Sequence, residues 1–354
     1  MELALWQTVL LSLLIVVVLF LPLTIHKVEE NLEAFLFCCG LFAVTVSKTW
    51  SGHLVLTALE DPIKITVAVF VAGLLFRYFN KQLQKLTQKA VSFIGLRATL
   101  FLIVFILGMT SSLITAIIAA LILSEVVMML PLNREGRTRM VVFTCYSIGL
   151  GAVLTSIGEP LGTVVLSKLS GEPHNADFWF LIEHLGWYIL GGVVVMALLA
   201  STIRADTIKH APGVKEEASA ADEHSVKSIA VRAGKIYLFV MALVFLGDGL
   251  KPLAEITIKK LSASFLYWIN MLSAVLDNAP LAAIEVTPDI HTRELTFLLM
   301  SLIISGGMLI PGNIPNIICA SKLGIKSKDW AKHALGIGGA LLIAYFIILS
   351  AVVK

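Results

Sequence analysis

The chain has 354 residues, of which 58% are hydrophobic and only 14% charged, and its mean hydropathy is +0.90. Soluble domains run at about half apolar and about a quarter charged, so this composition excludes them. The net charge is only +3, and the basic residues sit in short loops between apolar runs. That pattern sets orientation in a lipid bilayer and excludes nucleic acid as a partner.

A membrane-spanning helix needs about 20 mostly apolar residues. In chain order, spans are predicted at 3–25, 31–47, 62–79, 140–168, 178–203, 235–250, 295–321 and 333–353. The stretch Leu3 to Leu23 is too long and uniform for a signal-peptide core, and no small-residue cleavage site follows it, so it reads as a retained span. Residues 204–234 carry Pro212, Gly213 and the run KEEASAADEHS, are poor in apolar residues, and read as a cytoplasmic linker. The expected organisation is N-terminal transmembrane helices over 1–61, a transport repeat over 62–203, the linker over 204–234, and a second, inverted repeat over 235–354. Cys38, Cys39, Cys145 and Cys319 all lie in apolar segments without metal-ligand spacing and read as packing residues.

Two apolar segments, 97–130 and 261–287, fit poorly as simple spans. The first is interrupted by Gly108-Met109-Thr110-Ser111-Ser112 and has basic flanks on both sides: Lys81, Lys85, Lys89 and Arg97, then Arg134, Arg137 and Arg139. The positive-inside rule places both ends on one face, which a re-entrant helical hairpin satisfies; a single long tilted helix is the alternative. The second breaks at Asp277-Asn278-Ala279-Pro280. The N-terminus then lies outside. Lys27, the 80–97 loop, the 131–139 loop, the linker and the cluster Lys322, Lys326, Lys328 and Lys332 lie inside, with Lys251, Lys259 and Lys260 as exceptions.

An internal repeat is visible at low identity. GAVLTSIGEPLGTVVLSKLS (151–170) aligns without gaps on SGGMLIPGNIPNIICASKLG (305–324), so that Gly158 meets Gly312 and Glu159 meets Asn313. SSLITAIIAA (111–120) lies on AVLDNAPLAA (274–283), and VFVAGLLFRYF (69–79) lies on LVFLGDGLKPL (243–253). Three such matches in one order, with an odd number of crossings between the halves, predict inverted-topology repeats with broken helices, an architecture of secondary transporters.

The chemistry concentrates at two breaks and one tip. Thr155, Ser156, Gly158, Glu159 and Pro160 interrupt the span of the first repeat, and Pro311, Gly312, Asn313, Pro315 and Asn316 interrupt that of the second. Proline lacks a donor and clashes with the preceding turn while glycine relaxes the backbone, so both sites should unwind and bare carbonyls at membrane depth. Asp277 and Asn278 stand at the second hairpin tip before Pro280. An ionisable group at that depth is a functional hypothesis by default, which singles out Asp277 and Glu159 as the pair to hold a monovalent cation; Glu125, Asp248 and Glu285 are weaker candidates. Carboxylate and carbonyl oxygens are hard ligands suited to Na⁺ or Li⁺ and to protons, and no resident cofactor is expected. Helix ends beyond Pro160 and Pro315 keep an anion site open. No H-E-x-x-H motif or paired aspartate marks an intramembrane enzyme, and a channel would also accommodate broken helices.

The motifs LDNAP (276–280), TSIGEP (155–160) and IPGNIPN (310–316) resemble those of the ion transporter superfamily, over about residues 62–353. That group includes NhaD-type sodium/proton antiporters, arsenite permeases and sodium/dicarboxylate symporters. The antiporter branch looks closest, through Asp277-Asn278 and Gly158-Glu159-Pro160. Relatives carry an Asn or Asp-Asn at the first hairpin tip, where this chain has Ile114-Thr115, so only Thr110, Ser111, Ser112 and Thr115 could supply ligands there. The resemblance implies a cation/proton antiporter, with arsenite or small-carboxylate transport as the alternative, working as a homodimer. The free cysteines and lack of targeting signals fit a prokaryotic inner membrane.

Overall fold

The apolar runs fold as helices, and no strand occurs among the described residues. The structure, a computed structural model, describes residues 3–25, 27–28, 31–204, 226–258, 262–275 and 278–352. Two helices open it, α1 (Leu5–Thr24) and α2 (Leu32–Ser47). A helical stretch with one kink, α3, follows from Gly52 to Ile114, capped where the Ser51 hydroxyl accepts from the Leu54 amide at 3.0 Å. At about 1.5 Å per residue its 63 residues would run about 95 Å, three times the ~30 Å hydrocarbon layer. Gly95, at φ +81°, divides it. After Thr115 comes α4 (Ala116–Val126), then α5 (Arg134–Ala152), α6 (Pro160–Lys168) and α7 (Phe180–Ser201).

The second half runs α8 (Val226–Ile258), α9 (Ala263–Ile269) with a 3₁₀ turn over Asn270–Ala274, α10 (Asn278–Glu285), α11 (Thr292–Gly306), α12 (Ile314–Leu323) and α13 (Ser327–Val352). Among the described residues, five helices are long and apolar enough to cross a membrane: Leu5–Thr24, Gln84–Ile114, Phe180–Ser201, Ile229–Ile256 and Ser327–Val352. Their outward faces carry large apolar side chains such as Phe20, Trp187 and Ile347, as a lipid environment favours.

The centre belongs to α5 and α11. Every residue from Met140 to Ala152, and from Leu295 to Gly306, is buried, the all-round burial of a core helix. The Tyr146 hydroxyl donates to the Ala334 carbonyl at 2.9 Å and ties α5 to α13. α8 lies along α2 through small residues: a Cβ on Gly40 would sit 2.8 Å from that of Phe245, and one on Gly249 would sit 2.6 Å from that of Ala43. Close backbone approach of this kind is how helices associate where lipid removes the hydrophobic drive between them.

Several expectations need correction. The 80–97 segment is helical up to Gly95 and is not a loop. Its apolar continuation carries the polar patch Thr110-Ser111-Ser112 without interruption, because each hydroxyl returns to a carbonyl three or four residues back: Ile106, Gly108 and Met109. The interruption falls at Thr115 instead. α8 begins at Val226, inside the expected linker, while 205–225 lie outside the described residues, as do Lys259 and Lys260.

Candidate functional site

Each central helix ends in a break of the same length. α5 stops at Ala152 and α6 starts at Pro160, leaving 153–159; α11 stops at Gly306 and α12 starts at Ile314, leaving 307–313. The last residue of each break is extended: Glu159 at φ −156°, ψ 162° and Asn313 at φ −156°, ψ 147°. Proline then occupies the first turn of the next helix, where its missing N–H costs nothing. The penultimate glycine of each break folds back on the helix it left. A Cβ on Gly158 would lie 2.0 Å from the Ala152 carbonyl oxygen, and one on Gly312 would lie 2.5 Å from that of Gly306. A side chain at either position would force the backbone to shift.

Two helix starts close on these breaks. The Ala116 amide, first of α4, donates to the Gly158 carbonyl at 2.9 Å. Thr115 before it takes φ +74°, ψ 148°, a conformation essentially reserved for glycine, and its hydroxyl accepts from the Ile118 amide at 3.3 Å. At the other break, Asn278 opens α10 and packs so tightly on Gly306 that a Cβ there would lie 2.6 Å from Nδ2. The helices leading away then pack across the halves, α4 on α12 and α6 on α10. A lysine fastens the far end of each pair. Lys322 of α12 pairs with Glu125 of α4. Lys168 of α6 donates to the carbonyls of Ala283 and Val286, at 2.5 and 3.0 Å, at the end of α10.

Four helix N-termini therefore share one cavity of about 710 Å³. Its walls include Ala116 and Ile117 of α4, Glu159 and Pro160 at the start of α6, Asn278 and Pro280 of α10, and Asn313 and Pro315 at the start of α12. Each N-terminus carries roughly half a positive charge from its aligned peptide dipoles. Into that field the chain sets the carboxylate of Glu159, 8% exposed, and the amides of Asn278 and Asn313, 3% and 8% exposed. The Asn278 Oδ1 is buried without a hydrogen-bond partner among the described residues.

The predicted residues divide into three groups. Glu159, Asn278, Asn313, Gly158, Pro160, Pro280 and Pro315 line the cavity, as does Asp248 from α8. Thr155, Ser156, Asn316, Thr115 and Gly312 do not. The Thr155 hydroxyl donates to the Ser112 carbonyl at 2.5 Å and accepts from the Ile157 amide, so it laces the break to α3. Asn316 donates to the carbonyls of Gly306 and Leu309, both at 2.9 Å, and holds the second break. Glu125 and Glu285 also lie off the cavity, the first in its pair with Lys322 and the second beside Asn270. Asp277, expected to share a cation with Glu159, lies outside the described residues. Among the described residues no group of three or more His, Cys, Asp or Glu gathers as a metal cluster.

Other wall residues escaped the sequence reading. His53, Thr57, Asp61 and Lys64 of α3 line the cavity, with Lys251 of α8 opposite. Their spacing of four, four and three is one face of a helix, and a polar stripe on an otherwise apolar run was the available signal. Among curated proteins none matches this chain. Residues 8–352 match the family described as protein of unknown function (DUF1646), and the chain belongs to that family.

Proposed function

We propose that this protein is a secondary active transporter that exchanges a monovalent cation, Na⁺ or Li⁺, for protons. It would work by alternating access to a mid-membrane site between two re-entrant hairpins and two broken helices. The observation that carries the reading is the buried carboxylate of Glu159 on the wall of a cavity shared by four helix N-termini. A charge at that depth costs at least about 2.5–3.5 kcal/mol on insertion scales, and function is the usual reason a chain keeps one. A proton or a small cation can each neutralise it, and taking the two in turn is the simplest basis for exchange. The amide oxygens of Asn278 and Asn313 are hard ligands fit for the cation.

The inverted-repeat reading is supported by the equal breaks, the matched backbone at Glu159 and Asn313, and the lysine at the end of each exit helix. The hairpin reading is supported by the helix pair meeting at Thr115 and by the helix start at Asn278. By the same reading the chain sits in a prokaryotic inner membrane as a multi-pass protein, and resemblance adds a homodimer.

One feature favours a second reading. Four helix N-termini together with Lys64 and Lys251 suit an anion such as arsenite or a small carboxylate. Proteoliposomes holding a trapped pH dye separate the two. With ΔpH imposed, addition of Na⁺ or Li⁺, but not choline, should collapse it, and Glu159→Gln should abolish the response. Collapse by no cation, together with uptake of labelled arsenite or carboxylate, would replace antiport with the anion reading.

A further inference from the structure

A second cavity, of about 260 Å³, lies apart from the breaks. Its walls are Ser12 and Ile15 of α1 and Leu250 and Leu253 of α8, and it ends on Asn270 and Glu285 of the second hairpin segment. Glu285 is the last residue of α10 and is 93% buried, being 7% exposed. Its Oε2 accepts from the Asn270 Nδ2 at 3.0 Å, and its Oε1 is buried with no hydrogen-bond partner among the described residues. The same Asn270 nitrogen donates to Ser301 Oγ at 2.9 Å, and Ser301 donates onward to the Leu298 carbonyl at 2.8 Å. Asn270 and Ser301 are themselves fully enclosed. This is a built polar site with a single open valence, and that valence is a carboxylate oxygen.

No cation pairs with Glu285 among the described residues. α1 offers Ser12, and α11 offers Ser301. α8 offers Leu250, Leu253 and Ala254, with Glu255 following on the same helix and Asp248 and Lys251 lining the central cavity instead. Lys168 reaches the same end of α10 from α6, but its Nζ is held by the carbonyls of Ala283 and Val286. The C-terminal end of α10 adds a partial negative charge, which opposes an anion. A buried carboxylate so placed must be neutralised. A metal ion would need several oxygens around it, and the remaining wall is largely apolar. A proton needs one.

We propose that Glu285 is a second ion site of this protein, separate from the central cavity, and that the ion it takes is a proton. The proposal rests on the antiport reading in that it adds a second proton to the one exchanged at Glu159. Closure of α1 and α8 on the second hairpin holds the acid neutral, and water entering the cavity lets the proton leave.

Infrared difference spectroscopy of the reconstituted protein through a pH titration tests the site without depending on transport. The expected result is a carboxylic acid C=O band that is lost in Glu285→Gln, retained in Glu125→Gln, and shifted in Asn270→Ser, which removes the donor to Oε2. In proteoliposomes, Glu285→Gln should keep cation binding at the central cavity and move about half as many protons per cation as the wild type. A spectrum unchanged by Glu285→Gln, or wild-type exchange in that variant, overturns the proposal. A Glu285 band in a protein that exchanges no cation for protons sinks antiport and leaves the proton site standing.

Discussion

The break over 153–159 and the break over 307–313 are close to the same backbone with different chemistry. Both end in an extended residue at φ −156°, both need glycine one residue earlier, and both feed a short helix that begins with proline in its first turn. Yet one presents a carboxylate, Glu159, where the other presents an amide, Asn313. The far ends of the exit helices differ in the opposite sense. Lys322, beyond the neutral break, meets the carboxylate of Glu125, whereas Lys168, beyond the acidic break, meets carbonyls alone among the described residues. The shared part is therefore the scaffold, and what differs is the placement of charge. On the proposed function, the first break chooses the ion and the second completes the cage around it.

The largest effect should come from erasing the chemical difference. Glu159→Asn makes the breaks alike and should reduce coupled transport to background in the proteoliposome assay. Asn313→Glu leaves the acid in place and adds another, and should retain transport with an altered cation preference. Next, breaking the buried pair with Lys322→Gln should destabilise the fold by about 3–5 kcal/mol, because it strands Glu125 without a partner. The double variant Glu125→Gln/Lys322→Gln should recover most of the loss in a detergent denaturation series. Lys168→Met removes two hydrogen bonds from a charged donor but leaves no carboxylate behind, and should cost about 1.5–3 kcal/mol in all. The smallest effects test the shared scaffold. Gly158→Ala and Gly312→Ala should each cost about 1–3 kcal/mol through overpacking, Gly158 the more because its carbonyl neighbour is closer. Equal melting temperatures for Gly158→Ala and wild type would show that the break rearranges freely.

Much of this was legible in the residues. Apolar length placed the long helices, and the Gly-Pro punctuation of 158–160 and 311–315 placed both breaks, because backbone preference acts locally. The alignment of 111–120 on 274–283 put the first tip at Ile114-Thr115, near the observed interruption, although composition alone pointed to Gly108–Ser112. Serine and threonine are ambiguous there, since a helix absorbs them whenever a carbonyl behind is within reach. What was not legible was the partner of each polar side chain. Thr155 and Glu159 lie four residues apart, yet one meets the Ser112 carbonyl from another helix and the other lines the cavity. Tertiary packing makes that choice. The role of Lys322 was hidden for the same reason: in the sequence it belongs to a basic cluster, and in the fold it meets a glutamate 197 positions away.

The crossed packing of the exit helices has a mechanical side. α4 belongs by sequence to the first half but lies on α12 of the second, and α10 lies likewise on α6. The halves are clasped like interlaced fingers, so they cannot rock apart as two blocks without tearing Glu125 from Lys322 and Lys168 from the end of α10. Any body that moves as a unit must then be composed of pieces from both halves.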